Sequence, residues 1–359
     1  MTLHLPLVRL TPRALVSVRE NVSPRALLER GVKALGAGVS QEDRAGVSSV
    51  RAVVVKPNGA IGVIPVRDAC AEIELATIST PVALSLIDEA APAYFVGATD
   101  DGAGQIVLCL DNDAELPGVQ WVHLRWGGHM LGASDSGVAI VGVSLATWHA
   151  SYRFCARCGK PVRSILSGWA TECSGCGHVE YPRQDPAVIV RIHDDEDRVL
   201  LAHNTAWRTT MCSLIAGFVE AGESPEHAVI REVKEEVGLD VASVEYQATQ
   251  PWPFPRSQMI GYTARVAVGT PVVPIPDGEE IEWARFFSRS ELRDALHSGE
   301  VSAPGPTSIA YALLVDWYGS DLPESPSSLD PLRRPRCTLV SPWSVGQSFY
   351  EFARPECSS

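Results

Sequence analysis

The sequence predicts an α+β protein assembled from separate pieces, with a mixed α/β region first, a small cysteine-paired module next and a second α/β region after it. Three observations predict this. The 359 residues are 45% hydrophobic and 20% charged, an ordinary globular composition that suggests two or three domains at roughly 150 residues each. Four of the nine cysteines fall into two close pairs, Cys155/Cys158 and Cys173/Cys176. From Asp185 onward, strand-like runs alternate with helical patterns as far as about Tyr318. The expected pieces are therefore residues 1–150, 151–182, 183–318 and a Pro/Ser-rich tail over 319–359, where six prolines fall between Pro323 and Pro355.

In the first region, Val50–Val55 reads as a strand ended by the turn signal Lys56-Pro-Asn-Gly-Ala60. Further strands are expected at 93–97, 106–110 and 119–123, between Asp/Gly-rich turns, and a helix over Ser136–His149. No chemistry is legible there from local residues. In the second region, 187–192 reads as a buried strand, 194–197 as a turn and 199–202 as another strand.

Charge and hydropathy exclude several classes. A net charge of −13 argues against broad, sequence-independent binding along a nucleic-acid backbone. The longest apolar run, Val138–Trp148, is too short to span a bilayer, so no membrane partner is expected. No basic segment precedes an apolar one at the N-terminus, so a secretory signal is not expected, although Arg9, Arg13 and Arg19 before Glu20 leave an organelle transit peptide open. Paired cysteines without a disulfide framework point to a reducing compartment, and a cytoplasmic location is expected.

Cys155-Ala-Arg-Cys158 and Cys173-Ser-Gly-Cys176 are two C-x2-C knuckles separated by fourteen residues. Each knuckle turns two sulfurs toward one point, and glycines (Gly159, Gly177) follow where a tight turn excludes a Cβ. Two such knuckles make a tetrahedral thiolate site that suits zinc, although iron also fits it. Four thiolates leave no open position, so one structural Zn²⁺ per chain is expected, in a zinc ribbon. Cys70, Cys109, Cys212, Cys337 and Cys357 are scattered and read as plain thiols.

The segment Gly217 to Leu239 carries the strongest signal. Ser224 then Pro225 is a helix start, and Gly238 is a stop that accepts a left-handed conformation. Glu232 and Glu236 lie at i and i+4 on one helical face, with Glu235 beside them. Like charges at that spacing weaken an isolated helix, and a divalent cation would offset the repulsion. Carboxylate oxygens select Mg²⁺ or Mn²⁺. Taken bare, a solvated acidic face is the favoured reading.

The full string changes that balance. Gly217, Glu223, Arg231, Glu232, Val233, Glu235, Glu236, Gly238 and Leu239 match every defined position of the box G-x5-E-x7-R-E-U-x-E-E-x-G-U, with U aliphatic, so this region resembles the Nudix hydrolases. The resemblance implies an α/β/α sandwich with a mixed sheet that cleaves a nucleoside diphosphate linked to another moiety. It implies Glu232, Glu236, Glu280 and the carbonyl of Ala216 as ligands for two or three Mg²⁺ or Mn²⁺ ions. It gives Glu235 and Glu236 catalytic roles in positioning metal or water, and has Arg231 orient the glutamates. Glu279 and Glu282 flank Glu280 and offer alternative registers for that ligand.

Gln250-Pro-Trp-Pro-Phe-Pro-Arg-Ser257 holds three prolines in six residues, the mark of a stiff loop that presents Trp252 and Phe254 either as a packing plug or as a ligand wall. The string resembles the Q-P-W-P-F-P-x-S signature of the NADH pyrophosphatases within the Nudix family, whose four-cysteine ribbon also precedes the catalytic domain. That resemblance implies hydrolysis of NAD(H) to nicotinamide mononucleotide and AMP, removal of NAD caps from RNA 5′ ends, and a homodimer. The ribbon would then offer a surface to the first nucleotides. It implies substrate contacts from Tyr181, from Gln250, Pro251, Trp252, Pro253, Phe254, Pro255, Arg256 and Ser257, from Ala310, and from Arg125 in the first region. Gly168 stands where some members place a substrate-contacting acid. Two rival readings remain: a Nudix hydrolase acting on another substrate such as ADP-ribose, and a zinc-ribbon RNA-binding module with an inactive Nudix fold.

Overall fold

The run Ala52-Val-Val-Val55 lacks polar alternation, as befits a strand covered on both faces. The computed structural model describes residues 16–36, 38–65, 73–99, 102–207, 210–267 and 273–323, and it places β1 (Ser49–Val55) in that setting. Val53 and Val55 face one apolar cluster, and Ala52 and Val54 face the other. The remaining strands of this sheet are β2 (Ala60–Pro65), β3 (Ile73–Leu75), β4 (Ala93–Ala98), β5 (Ala103–Cys109) and β6 (Gln120–His123). Their order is β3-β2-β1-β5-β4, with β6 paired to β2, and β1 runs parallel to β5 from Ser49–Ala103 to Val55–Cys109.

Short helices α1 (Val16–Asn21), α2 (Pro24–Arg30), α3 (Gln41–Ala45) and α4 (Thr80–Asp88) belong to this unit, and Val18, Leu27, Leu28 and Ala83 from them fill the cluster on one sheet face. After the single turn α5 (Leu124–Gly127), the long helix α6 (Ala133–Ser151) covers the other face with Val138, Ile140, Val143 and Leu145. The expected strands and the Ser136–His149 helix fall on these elements. The four-cysteine module follows as a small antiparallel sheet of β7 (Val162–Ile165), β8 (Ala170–Cys173) and β9 (Val179–Glu180). Gly168 has a reason for being glycine in this chain: its φ is +103°, and a Cβ there would lie 2.3 Å from the Tyr94 ring.

Two compact units divide the chain. One runs to Gln184 and also takes in Pro253–Arg256, and the other holds Asp185–Trp252 and the chain from Ser257. The second unit is an α/β/α sandwich. Its strands are β10 (Asp185–His193), β11 (Val199–Asn204), β12 (Ile215–Phe218), β13 (Val241–Trp252), β14 (Ser257–Val266) and β15 (Ile281–Phe287). They order as β13-β14-β10-β11-β15, with β12 paired to β10. The sheet is mixed, because β10 and β14 pair in parallel over nine residues and every other pair is antiparallel. Helix α7 (Pro225–Val237) packs on one face through Ala228, Val229, Val233 and Val237. Helices α8 (Arg289–Ser298) and α9 (Ile309–Tyr318) cover the other through Leu292, Leu296, Leu313 and Leu314.

The segment expected as a proline-stiffened loop is shorter than the sequence suggests. Strand β13 continues through Pro251 and Trp252, which pair with Gln258 and Ser257. A proline is tolerated there because β13 is an edge strand, where the missing N–H breaks no interior ladder. Only Pro253–Arg256 form the connection. The N-terminal segment holding Arg9 and Arg13 and the tail from residue 324 lie outside the described residues. Among the described residues no helix is long and apolar enough to cross a membrane.

Candidate active site

Helix α7 begins and ends as its sequence dictates. Ser224 Oγ accepts from the His227 N–H at 3.3 Å, Pro225 fills the first turn, and Gly238 closes the helix at φ 69° with its N–H on the Lys234 carbonyl. With the apolar stripe buried, the acids gather around Arg231. Its Nε and Nη2 grip both oxygens of Glu223 at 2.9 Å each, Nη1 donates to Glu232 Oε1 at 2.9 Å and Glu235 Oε2 at 3.0 Å, and Nη2 also donates to the Phe218 carbonyl at 2.9 Å. All five guanidinium N–H donors are engaged, so this arginine fixes three glutamates and the end of β12 at once. Gly217 is the counterpart on the strand: a Cβ there would stand 1.9 Å from Glu232 Oε1. Helix and strand meet too closely for any side chain.

The charges differ in their surroundings. Hydrogen bonds from Arg231 hold Glu223 down at about 2. Burial raises Glu232 above the usual carboxylate range, against the pull of Arg231. Glu236 is only 6% exposed, and burial, followed by repulsion from Glu232, Glu280, Asp277 and Glu235, pushes it up to about 8. A buried acid that resists ionisation because other acids face it suits a divalent cation, whose charge would reverse both effects. Glu280 lies on the exposed turn before β15, close enough to act on Glu232 and Glu236. Ala216 is exposed on β12, paired to Ile189 and adjacent to Gly217.

The four cysteines are a closed site. Among the described residues they alone form a group of three or more such ligand atoms lying within 4.8 Å of one another. Both knuckles have the same geometry. Gly159 and Gly177, each at φ 69°, donate to the carbonyls of Cys155 and Cys173 at 2.9 and 3.1 Å. Backbone N–H groups of Arg157, Gly175 and Cys176 point at the sulfurs of Cys155 and Cys173 at 3.3–3.4 Å, and those on Cys173 favour its thiolate. Cys155 and Cys173 are buried and Cys158 and Cys176 exposed.

The residues expected at the substrate divide into groups. Tyr181 stands 59% exposed just after β9. Arg125 and Phe254 come together: the guanidinium carbon lies 5.6 Å from the ring centroid. Phe254 also tilts against His123 at 5.1 Å, and a Cβ on Gly59 would meet both rings. Pro253 is buried beside it, while Pro255 and Arg256 are exposed. Trp252 and Ser257 close the β13–β14 ladder, each half-buried, and Pro251 is likewise half-buried within it.

Two of the residues expected at the substrate have buried side chains. Gln250 has no exposed surface; its Nε2 donates to the Thr307 carbonyl at 2.8 Å and its Oε1 accepts from the Ile309 N–H at 2.7 Å. Its side chain braces the start of α9. Ala310, in the first turn of α9, is 4% exposed and packed in the core. Three residues escaped the sequence reading. His123 caps α5 by accepting the Arg125 N–H on Nδ1 at 3.2 Å. Phe218, inside the box, keeps its ring 59% exposed at the end of β12. Asp277 binds the turn that carries Glu280. Position within the box gave a signal for Phe218, whereas the other two are tied to partners distant in sequence as well as to local ones, His123 to Phe254 and Asp277 to Glu236.

A mixed sheet between helical layers, with an arginine-organised acid cluster on the helix that follows its third strand, defines a Nudix hydrolase domain. Residues 182–304 match the NUDIX domain, and residues 150–181 match the NADH pyrophosphatase zinc ribbon domain. A protein named NAD-capped RNA hydrolase NudC from Mycobacterium bovis is 40% identical over 250 residues, covering 66% of this chain and 78% of that protein. The protein of the same name from Mycobacterium tuberculosis matches to the same extent, 40% over 250 residues. The one from Stutzerimonas stutzeri is 38% identical over 209 residues, covering 58% of this chain and 72% of its own. The chain belongs to the NudC family of Nudix hydrolases.

Proposed function

We propose that this chain hydrolyses the pyrophosphate bond of NAD(H), giving nicotinamide mononucleotide and AMP, and removes the NAD cap from RNA 5′ ends. The observation that carries the reading is the Arg231 hub, which holds Glu223, Glu232 and Glu235 in an organised form in a chain that spans 78% of a relative named for NAD-capped RNA. Glu232, Glu236, Glu280 and the Ala216 carbonyl would hold Mg²⁺ or Mn²⁺, two or three ions in all. The donor set fits, since it consists of hard oxygens around a buried acid that lacks a compensating charge. When bound, the metal supplies charge neutralisation for the pyrophosphate and activation of water.

Arg231 keeps the acids from splaying and holds Glu235, which is exposed and positions the attacking water. Arg125, Phe254 and Tyr181 in one unit, and Trp252 and Phe218 in the other, are groups of the kind that hold a base by cation–π contact and stacking. The zinc ribbon is structural. A homodimer and a cytoplasmic setting complete the reading.

Incubating the protein with NADH and Mn²⁺ or Mg²⁺, beside Glu236→Gln, tests it. Chromatography should show AMP and reduced nicotinamide mononucleotide from the parent protein only. NAD-capped RNA is then expected to yield a 5′-monophosphate end. Cleavage of ADP-ribose with NADH untouched would overturn the specificity, and RNA binding without any hydrolysis would overturn the enzyme.

A further inference from the structure

Glu280 belongs to no helix or strand, and yet a cation ligand has to be held in place. The turn that carries it is fixed from two sides. Asp277 Oδ1 accepts the backbone N–H groups of Glu279 at 3.2 Å, Glu280 at 3.2 Å and Ile281 at 2.9 Å, and its Oδ2 accepts that of Glu280 at 3.3 Å. The N–H of Asp277 in turn donates to the Glu236 carbonyl at 3.1 Å, at the last turn of α7. Just after β11, the Thr205 N–H donates to the Glu280 carbonyl at 2.9 Å, and its hydroxyl donates to the Glu279 carbonyl at 3.1 Å. One carboxylate thus joins the end of the acid helix to the loop acid, and a threonine braces that loop from the sheet.

We propose that Asp277, seconded by Thr205, is a positioning residue for the cation site, holding Glu280 and Glu236 as one preformed unit. This rests on the reading of Glu280 as a metal ligand. Groups that orient metal ligands without touching the metal typically control affinity by about 10- to 100-fold. The carboxylate's role here is to accept backbone hydrogen bonds, which an amide oxygen also does. Loss of the acceptor should therefore matter far more than loss of the charge, which bears on Glu236 only as one of its smaller repulsions.

The test is Mn²⁺ binding to the full chain, followed by electron paramagnetic resonance of the free ion, together with Mn²⁺ activation curves. Asp277→Ala and Glu280→Gln should each weaken binding about tenfold or more, and Asp277→Asn should stay within about threefold of the parent. In Asp277→Ala the activation curve moves to higher Mn²⁺ while turnover at saturating metal returns. Parent-like binding by Asp277→Ala, with Glu280→Gln impaired, overturns the proposal. Equal losses in Asp277→Asn and Asp277→Ala overturn it in favour of Asp277 as a ligand itself. Unchanged binding by Glu280→Gln removes the reading beneath it. Should Asp277→Ala fail to fold, Thr205→Val, which loses only the hydroxyl contact, is expected to weaken binding about threefold, and no weakening overturns the proposal.

Discussion

Replacing Gln250 with leucine separates a brace from a substrate contact. Its amide satisfies the Thr307 carbonyl and the Ile309 N–H inside a site with no exposed surface. Leucine fills similar volume but orphans both backbone groups, at about 1–3 kcal/mol each. Burying the leucine returns about 1–2 kcal/mol, leaving a net loss of up to about 5 kcal/mol. A urea titration followed by tryptophan fluorescence reads this directly. Glutamate at the same position sharpens the test. Only the protonated acid can donate to the Thr307 carbonyl, so its folded-state pKa must rise above the unfolded value of about 4.3. Gln250→Glu should therefore be near parental stability below that pH and lose stability as pH climbs toward the raised value. A Gln250→Leu protein of unchanged stability but raised KM for NADH would refute the brace and restore the substrate contact.

Three further outcomes are expected. Gly217→Ala, whose new Cβ would lie 1.9 Å from Glu232 Oε1, should displace that carboxylate and weaken Mn²⁺ binding about tenfold in a metal titration. Without metal, Glu236 keeps a proton up to about 8 that the unfolded chain releases near 4.5, so metal-free stability should fall as pH rises between those values, and Glu236→Gln should flatten the slope in calorimetry. Chelating zinc should leave four mutually repelling thiolates and unfold the β7–β9 ribbon, seen as loss of about one zinc per chain with a change in circular dichroism, and Cys173→Ser should do the same.

What was legible in the sequence was what short-range chemistry decides. Ser224, Pro225 and Gly238 bound α7 through contacts within a turn or two, and the knuckles with Gly159 and Gly177 fold around themselves. The alternation of α7 places its glutamates without reference to the rest of the chain. Legibility ended where a distant partner decides. Pro251 reads as a strand breaker until β13 is known to be an edge. The brace that Gln250 makes is invisible until Thr307 and Ile309, 57 and 59 residues away, are placed against its amide. Asp277 looks like one acid among several; its bonds to residues 279–281 are local, and only the path of α7 shows that it joins that turn to Glu236.

The parallel ladder between β10 and β14 bears on how the protein is made. It joins Asp185 to Ser257 and His193 to Arg265, so every paired position waits for a partner 72 residues later (257 − 185). A ribosome must complete β11, β12, α7 and β13 before the central strand of the catalytic unit gains that neighbour. During the interval β10 has β12 as an antiparallel mate and α7 as an apolar cover, both drawn from nearer in the sequence. Long-range parallel pairing is slow to form, and its exposed edge attracts other chains. Val188, Val190 and Ile192 share one apolar cluster with Val229, Val233 and Val237 of the acid helix, so that helix offers them cover before the sheet that it serves is finished.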